Sequence, residues 1–176
     1  MLDDEDPRPL VYVTFGTAFN TPDLFQTVFD AIADLDIRAV ATIGMNTDAT
    51  DLAVPQNVRT VPFLSQGLIL DHADLVVAHG GYGSLTGALR RGLPVLSLPL
   101  FPPDNRFNAD QLVRLGAGLA LGNDERSTEA IRQSVQRLLD HREYRDRAEG
   151  IADEIAALPP IDHAAILLER LAAPAN

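Results

Sequence analysis

The sequence predicts an α/β fold built on a doubly wound parallel sheet of about six strands flanked by helices. Three observations predict it. Short apolar runs without two-residue alternation recur along the chain, as strands buried on both faces require. Segments with apolar residues at helical spacing separate them. Glycines, prolines and capping residues fall at the junctions between the two kinds of segment. Alternation of this kind is Rossmann-like.

Size and charge narrow what such a domain can do. The 176 residues suit one domain with a proper core and are too few for two full ones. A formal charge of −11, with neither basic stripe nor polybasic run, argues against nucleic acid or an anionic membrane as partner. The absence of cysteine excludes a disulfide framework and a thiolate metal site and is compatible with a cytoplasmic location. No apolar segment approaches ~18 residues and no charged-then-apolar leader is present, so neither a membrane span nor a signal peptide is expected. Fourteen arginines without a lysine, and abundant alanine, are associated with a bacterial source.

The elements follow in order. Residues 1–9, with four acids and two prolines, read as a linker or boundary segment. Leu10 to Phe15 is a first strand, which Gly16-Thr17 turns into a loop. Thr21-Pro22-Asp23 then opens a helix, with a capping hydroxyl, a proline at the first helical position and an acid in the first turn. Leu24, Phe25, Val28, Phe29, Ile32 and Leu35 line one face of it. Ile37 to Ile43, closed by Gly44, is the second strand and Asn57 to Val61 a short third. Leu75 to Ala78 is a buried apolar strand that stops at His79.

The stretch His79-Gly80-Gly81-Tyr82-Gly83-Ser84 is the part of the chain built for chemistry. Its glycines remove Cβ atoms where a strand turns sharply into a helix, so main-chain N–H groups of the first helical turn can approach a ligand. Free N–H groups and the positive end of the helix dipole favour an anion, and His79 can add a side-chain donor. Arg90 and Arg91 fall in the last turn of that helix, Gly92 suits the position after it, and Pro94 prevents continuation. Glycine also serves close packing, and a glycine-rich turn alone is weak support for nucleotide binding. The turn is no P-loop, since the chain lacks lysine, and its spacing is not the dinucleotide G-x-G-x-x-G.

Val95 to Leu98 is the next strand, and Pro99, Pro102 and Pro103 hold the loop after it extended. A helix begins near Asp104 or Asn105 and runs to Leu115, where Gly116 and Gly118 end it. Leu119 to Leu121 is a last strand, and Ser127 caps a helix carrying Ile131, Val135, Leu138 and Leu139. His141 to Ala172 forms two further helical segments divided by Pro159-Pro160, with Arg142, Glu143, Arg145, Asp146, Arg147 and Glu149 on a solvated mixed-charge face. His72, His141 and His163 make no ligand-spaced pair, so no metal site is expected; no Ser-His-Asp set is legible.

The His79-Gly80-Gly81 turn, the glycine and serine after it, and the segment Pro99 to Asn108 together resemble the donor-binding half of GT-B glycosyltransferases. The family in question contains the UDP-glucuronosyltransferases, plant secondary-product glucosyltransferases and actinobacterial antibiotic glycosyltransferases. The resemblance runs from about Val11 to about Leu121. It implies a donor diphosphate on His79, Gly81, Gly83 and Ser84, with Gly16 and Thr17 beside it; for Thr17 an ordinary strand-ending turn is an equal alternative. An Asp-Gln pair that holds sugar hydroxyls in relatives is Asp104-Asn105 here, one methylene shorter, followed by Phe107-Asn108-Ala109 where relatives have similar runs. Asp104 has an alternative role as a helix N-cap. Main-chain groups at Phe63 and Leu64 are implied to face the base, although both side chains also read as core. Plant members place a ribose-binding Glu at the position of Gly87, so the ribose contact is unassigned.

What the resemblance implies for function is a hexose transfer from a UDP- or dTDP-sugar to a small-molecule acceptor, with inversion and without metal or other cofactor. Its catalytic base would lie in an amino-terminal half, leaving His79 to stabilise the leaving diphosphate. The implied partners are a nucleotide-sugar donor and a missing N-terminal acceptor-binding domain. Residues 10–158 would bind the nucleotide sugar, and residues 159–176 would form a helix that packs on the other half. Leu167, Leu168 and Leu171 would then be exposed in this chain alone. Two readings of other classes stand beside this one: a naturally separate subunit of a two-chain glycosyltransferase, and a non-catalytic nucleotide-sugar binder.

Overall fold

A computed structural model describes residues 6–16, 22–45, 47–100 and 103–172. Its strands are β1 (Leu10–Thr14), β2 (Arg38–Thr42), β3 (Val58–Val61), β4 (Leu75–Ala78), β5 (Val95–Ser97) and β6 (Gly118–Ala120). They form one sheet in the order β3-β2-β1-β4-β5-β6, and every pairing is parallel. The helices are α1 (Pro22–Ile32), α2 (Gln66–Leu70), α3 (Tyr82–Leu89), α4 (Pro103–Leu115), α5 (Thr128–Asp140), α6 (Arg142–Ala156) and α7 (Ile161–Ala172). The expected doubly wound α/β sheet is present, with the chain winding outward from β1 to β3 and then returning to build β4, β5 and β6 on the other side.

Both faces of the sheet are covered, which explains the unbroken apolar runs. Val11, Val13, Val77, Leu96 and Leu98 pack on one side with Phe25, Val28, Phe29 and Ile32 of α1 and Ile131, Val135 and Leu138 of α5. Leu10, Tyr12, Val76, Ala78 and Val95 pack on the other with Ile69, Leu85, Ala88, Leu112 and, from α6, Ala148 and Ile151. Alternate residues of one strand thus enter different cores, and no position is left for a polar partner in the alternation. Tyr12 reaches out of the second core far enough for its hydroxyl to meet Thr42 Oγ1 at 3.0 Å.

Several boundaries differ from the sequence reading, each for a local reason. Gly118 does not end α4 but lies in β6, where a Cβ would collide with the Val95 carbonyl oxygen and approach Leu112 Cδ2 at 2.8 Å. Helix α4 begins at Pro103, a residue suited to a first helical position, so Asp104 lies inside the helix and is not its N-cap. Helix α3 ends at Leu89 with Arg90 as its cap; Gly92 adopts φ +66° as a chain reversal there requires. Ser127 caps α5 as expected, its hydroxyl accepting from the Ala130 N–H at 3.1 Å.

The charged face of α6 is solvated as expected, with Arg142, Glu143, Asp146, Arg147 and Glu149 exposed and Arg145 half-buried, and two of its arginines also reach main-chain oxygens. Arg145 donates to the Asp74 carbonyl at 2.9 Å and its carboxylate at 3.3 Å, and Arg147 donates to the Leu115 carbonyl at 3.1 Å. Asp74 in turn accepts from the Leu10 N–H at 2.8 Å, so α6 ties together the amino-terminal ends of β1 and β4. On α7, Leu167, Leu168 and Leu171 are exposed. No helix among the described residues is long and apolar enough to cross a membrane.

Candidate functional site

The winding changes direction between β1 and β4, and open α/β sheets present a crevice at the carboxyl ends of such neighbouring strands. Thr14 pairs with Ala78, so the two strands end level and the chain leaves both together. It leaves through glycine in each case: Gly16 adopts φ +76° and Gly80 φ +84°, a region other residues rarely enter.

His79 lies in the slot these exits create. A Cβ on Gly16 would stand 3.1 Å from His79 Cε1, and one on Gly81 would stand 2.7 Å from the same atom and closer still to Nε2. The imidazole therefore rests against bare backbone on both sides, and the glycines are glycines because the ring is there. Burial holds its pKa below the usual 6.5, while the Thr14 carbonyl and the Asp104 carboxylate act in the opposite sense. A neutral ring keeps one N–H to give. The Thr14 carbonyl favours the charged ring, and Nδ1 is buried without a hydrogen-bond partner among the described residues.

Beside the ring stands the open end of α3. Gly81 is its N-cap and offers no side chain to the N–H groups of Tyr82, Gly83 and Ser84. The first main-chain bond of the helix runs from the Leu85 N–H to the Gly81 carbonyl at 3.1 Å. Gly83 is informative for a different reason from Gly81: a Cβ there would meet no atom of the described residues within 4 Å. Nothing in the described protein asks for glycine at this helical position, whereas a ligand lying on the first turn would. Ser84 is buried and its hydroxyl accepts from Gln66 Nε2 at 3.2 Å, keeping its own proton to donate.

The carbonyls of the turn point elsewhere and are satisfied. His79 O accepts from the Leu100 N–H at 3.4 Å, and Gly80 O accepts from Asn108 Nδ2 at 3.0 Å. Gly80 itself is pressed against α4, since a Cβ would stand 2.6 Å from the Asn105 carbonyl oxygen and 3.1 Å from Ser97 Oγ. N–H groups are thus left facing outward, and the helix dipole adds positive potential at the same place.

A pocket of about 300 Å³ adjoins the slot at the carboxyl ends of β1, β2 and β3, lined by Tyr12, Thr14, Gly16, Thr42, Gly44, Pro62, Phe63, Leu64, Ser65 and Gln66. Gly16 belongs to both, so pocket and turn are continuous. Phe63 is 73 % exposed and is not a core residue, whereas Leu64 is half-buried against the second core. On the opposite side of the turn Asp104 is exposed and close enough to act on the His79 charge, while Asn105 is buried. The structure therefore brings Gly16, His79, Gly81, Gly83 and Ser84 together, with Phe63 and Leu64 to one side and Asp104 and Asn105 to the other. Thr17 lies outside the described residues. Gln66 and Asn108 received no role from the sequence; Asn108 was visible there only as part of a run, and nothing marked Gln66. Among the described residues no group of three or more His, Asp or Glu is placed to hold a metal ion.

Fold and topology are those of one half of a GT-B glycosyltransferase. The chain belongs to the erythromycin biosynthesis protein CIII-like, C-terminal domain family, which it matches over residues 26–171. It is 32 % identical over 172 residues to UDP-glycosyltransferase 2 of Phaeomoniella chlamydospora, covering 94 % of this chain and 38 % of that protein. Demethyllactenocin mycarosyltransferase of Streptomyces fradiae is likewise 32 % identical, over 97 % of this chain and 37 % of its own length. Among solved structures, the glycosyltransferase VinC in complex with dTDP superposes with a TM-score of 0.83 at 29 % identity, over 97 % of this chain and 43 % of that one. The chain spans about two fifths of the length of these curated relatives.

Proposed function

We propose that this chain is the donor-binding half of a glycosyltransferase, holding a UDP- or dTDP-sugar whose hexose passes with inversion to a small-molecule acceptor. One observation carries the reading: a half-buried histidine and an uncapped helix start, set side by side at the switch point, with a helical glycine that no described protein atom explains. The diphosphate lies on His79, Gly81, Gly83 and Ser84, the base in the pocket at Phe63 and Leu64, and the sugar toward Asp104 and Asn105. Gly16 closes the diphosphate site on the β1 side, and Thr17 is proposed as a further diphosphate contact. The similar VinC structure, solved in complex with dTDP, supports a nucleoside diphosphate as the kind of ligand held here.

In the reaction, the bond from the anomeric carbon to the diphosphate oxygen breaks as the acceptor oxygen attacks from the opposite face. Negative charge then gathers on the departing diphosphate. His79 and the start of α3 stabilise it without metal, as fixed dipoles that need no reorganisation. The base that takes the acceptor's proton, and the acceptor pocket, belong to an amino-terminal half. The exposed Leu167, Leu168 and Leu171 of α7 are where that half would pack.

Titration calorimetry with UDP and dTDP tests the donor site. Both His79→Ala and wild type are measured, and the variant is expected to bind about 1.5–3 kcal/mol more weakly, the worth of a hydrogen bond to a charged group. Equal affinity would return His79 to a packing role, and EDTA that abolished binding would overturn metal independence.

A further inference from the structure

We propose that Asn108 is a positioning residue: its hydrogen bond to the Gly80 carbonyl fixes the rotation of α4, and with it the place of the sugar-holding Asp104 relative to the diphosphate turn. The inference rests on the donor-site reading above and assigns a role to a residue outside it. Asn108 Nδ2 donates to Gly80 O at 3.0 Å across 28 residues of sequence. A carbonyl only accepts, so the amide must present its nitrogen, and an aspartate at this position could not make the bond.

Geometry gives the bond its leverage. Asp104 and Asn108 are four residues apart on α4 and so lie on one side of the helix, one turn above the other. Asn105, Ala109 and Leu112 are the residues α4 buries. Of these only Asn105 belongs to the first turn, so apolar packing grips the helix from its middle onward. The start of the helix, where Asp104 is carried, is held by its approach to Gly80: the Asn105 carbonyl oxygen lies 2.6 Å from where a Cβ of Gly80 would stand, and Asn108 bonds the Gly80 oxygen. Gly80 has φ +84° and leads directly into the N-cap Gly81. Sugar-side and phosphate-side groups thus share one anchoring residue, and releasing Asn108 lets α4 roll while the turn retains its shape.

The test separates positioning from simple loss of stability. Dissociation constants for dTDP and dTDP-glucose are measured on wild type, Asn108→Ala, Asn108→Asp, Asp104→Ala and the double variant Asp104→Ala/Asn108→Ala. The readout is the ratio of the dTDP-glucose constant to the dTDP constant, in which general weakening of the diphosphate site cancels. Asn108→Ala and Asn108→Asp should each raise that ratio about fivefold, as loss of one net hydrogen bond's worth of alignment would. Asp104→Ala should raise it comparably, and the double variant should raise it no further, because the two residues act on one contact. If Asn108→Ala does not fold, the isosteric Asn108→Asp decides. An unchanged ratio in the folded Asn108 variants, or effects that multiply in the double variant, would overturn the proposal while leaving the donor site standing. A wild-type chain that binds neither compound would overturn the donor site itself, and this inference with it.

Discussion

Gly81 and Gly83, two residues apart, are glycine for opposite reasons, and substitution by alanine separates them. At Gly81 the new methyl would enter the His79 ring, with Cε1 at 2.7 Å, so Gly81→Ala displaces the imidazole and lowers both melting temperature and donor affinity. At Gly83 the methyl meets no described atom within 4 Å. Gly83→Ala should leave the fold intact or stabilise it by up to about 1 kcal/mol through helix propensity, yet weaken donor binding. Thermal melts alongside titrations with dTDP check both; undiminished binding in Gly83→Ala would remove the ligand from the first turn of α3. His79 gives a pH signature. Its pKa is lowered by burial in the fold, so its contribution to stability is complete above the unfolded value of 6.5 and is lost as pH falls through the folded value. A nucleotide sugar, whose doubly esterified diphosphate does not titrate near neutrality, should raise that pKa and draw in protons on binding below pH 7. Calorimetry in buffers of different ionisation enthalpy reads the uptake, and His79→Ala should abolish it. The sequence displayed His79 and its glycines because strand, turn and helix are contiguous there. Gln66 and Asn108 were silent because their partners lie 18 and 28 residues away and, for Asn108, are main chain, which carries no residue signature.

At the scale of elements, the strands were legible because burial on both faces leaves an apolar run that needs no phase. Helix ends were legible where a cap or a left-handed glycine marks them, as at Ser127 and Gly92. Gly118 misled for a physical reason: the same residue type serves a helix stop and a close approach between strands, and only the Val95 carbonyl beside it tells which. The charges of α6 form the solvated face that their composition implies, while Arg145 and Arg147 also reach back to main-chain oxygens that the sequence does not locate. From that tie follows a stability prediction. Asp74→Ala removes the acceptor of the Leu10 N–H and one partner of Arg145, and should cost about 1 kcal/mol, reduced from a buried pair's worth because both side chains are partly solvated. Helix α7 should behave in the opposite way. Leu168→Gln with Leu171→Gln alters side chains 67 % and 82 % exposed, so denaturant unfolding should shift by less than about 0.5 kcal/mol. A large loss of stability would mean that α7 packs on this domain.

For the molecule as a whole, the proposed function divides labour between two bodies. On the proposed function this chain would supply a donor cradle at the junction of β1 and β4, and reaction would require an acceptor held within reach of the anomeric carbon in a cleft that a single sheet does not enclose. The chain alone should therefore bind donor and transfer nothing; turnover of labelled dTDP-sugar to an acceptor without a second polypeptide would refute the division. The central claim, that the turn from His79 to Ser84 grips the diphosphate, is tested most directly by titrating the ¹⁵N-labelled chain with dTDP and following its amide and imidazole resonances. The account predicts saturable shifts largest at Gly81, Gly83, Ser84 and the His79 ring, with smaller ones at Gly16 and Phe63. Saturable shifts confined to other parts of the surface, with these resonances unmoved, would contradict it.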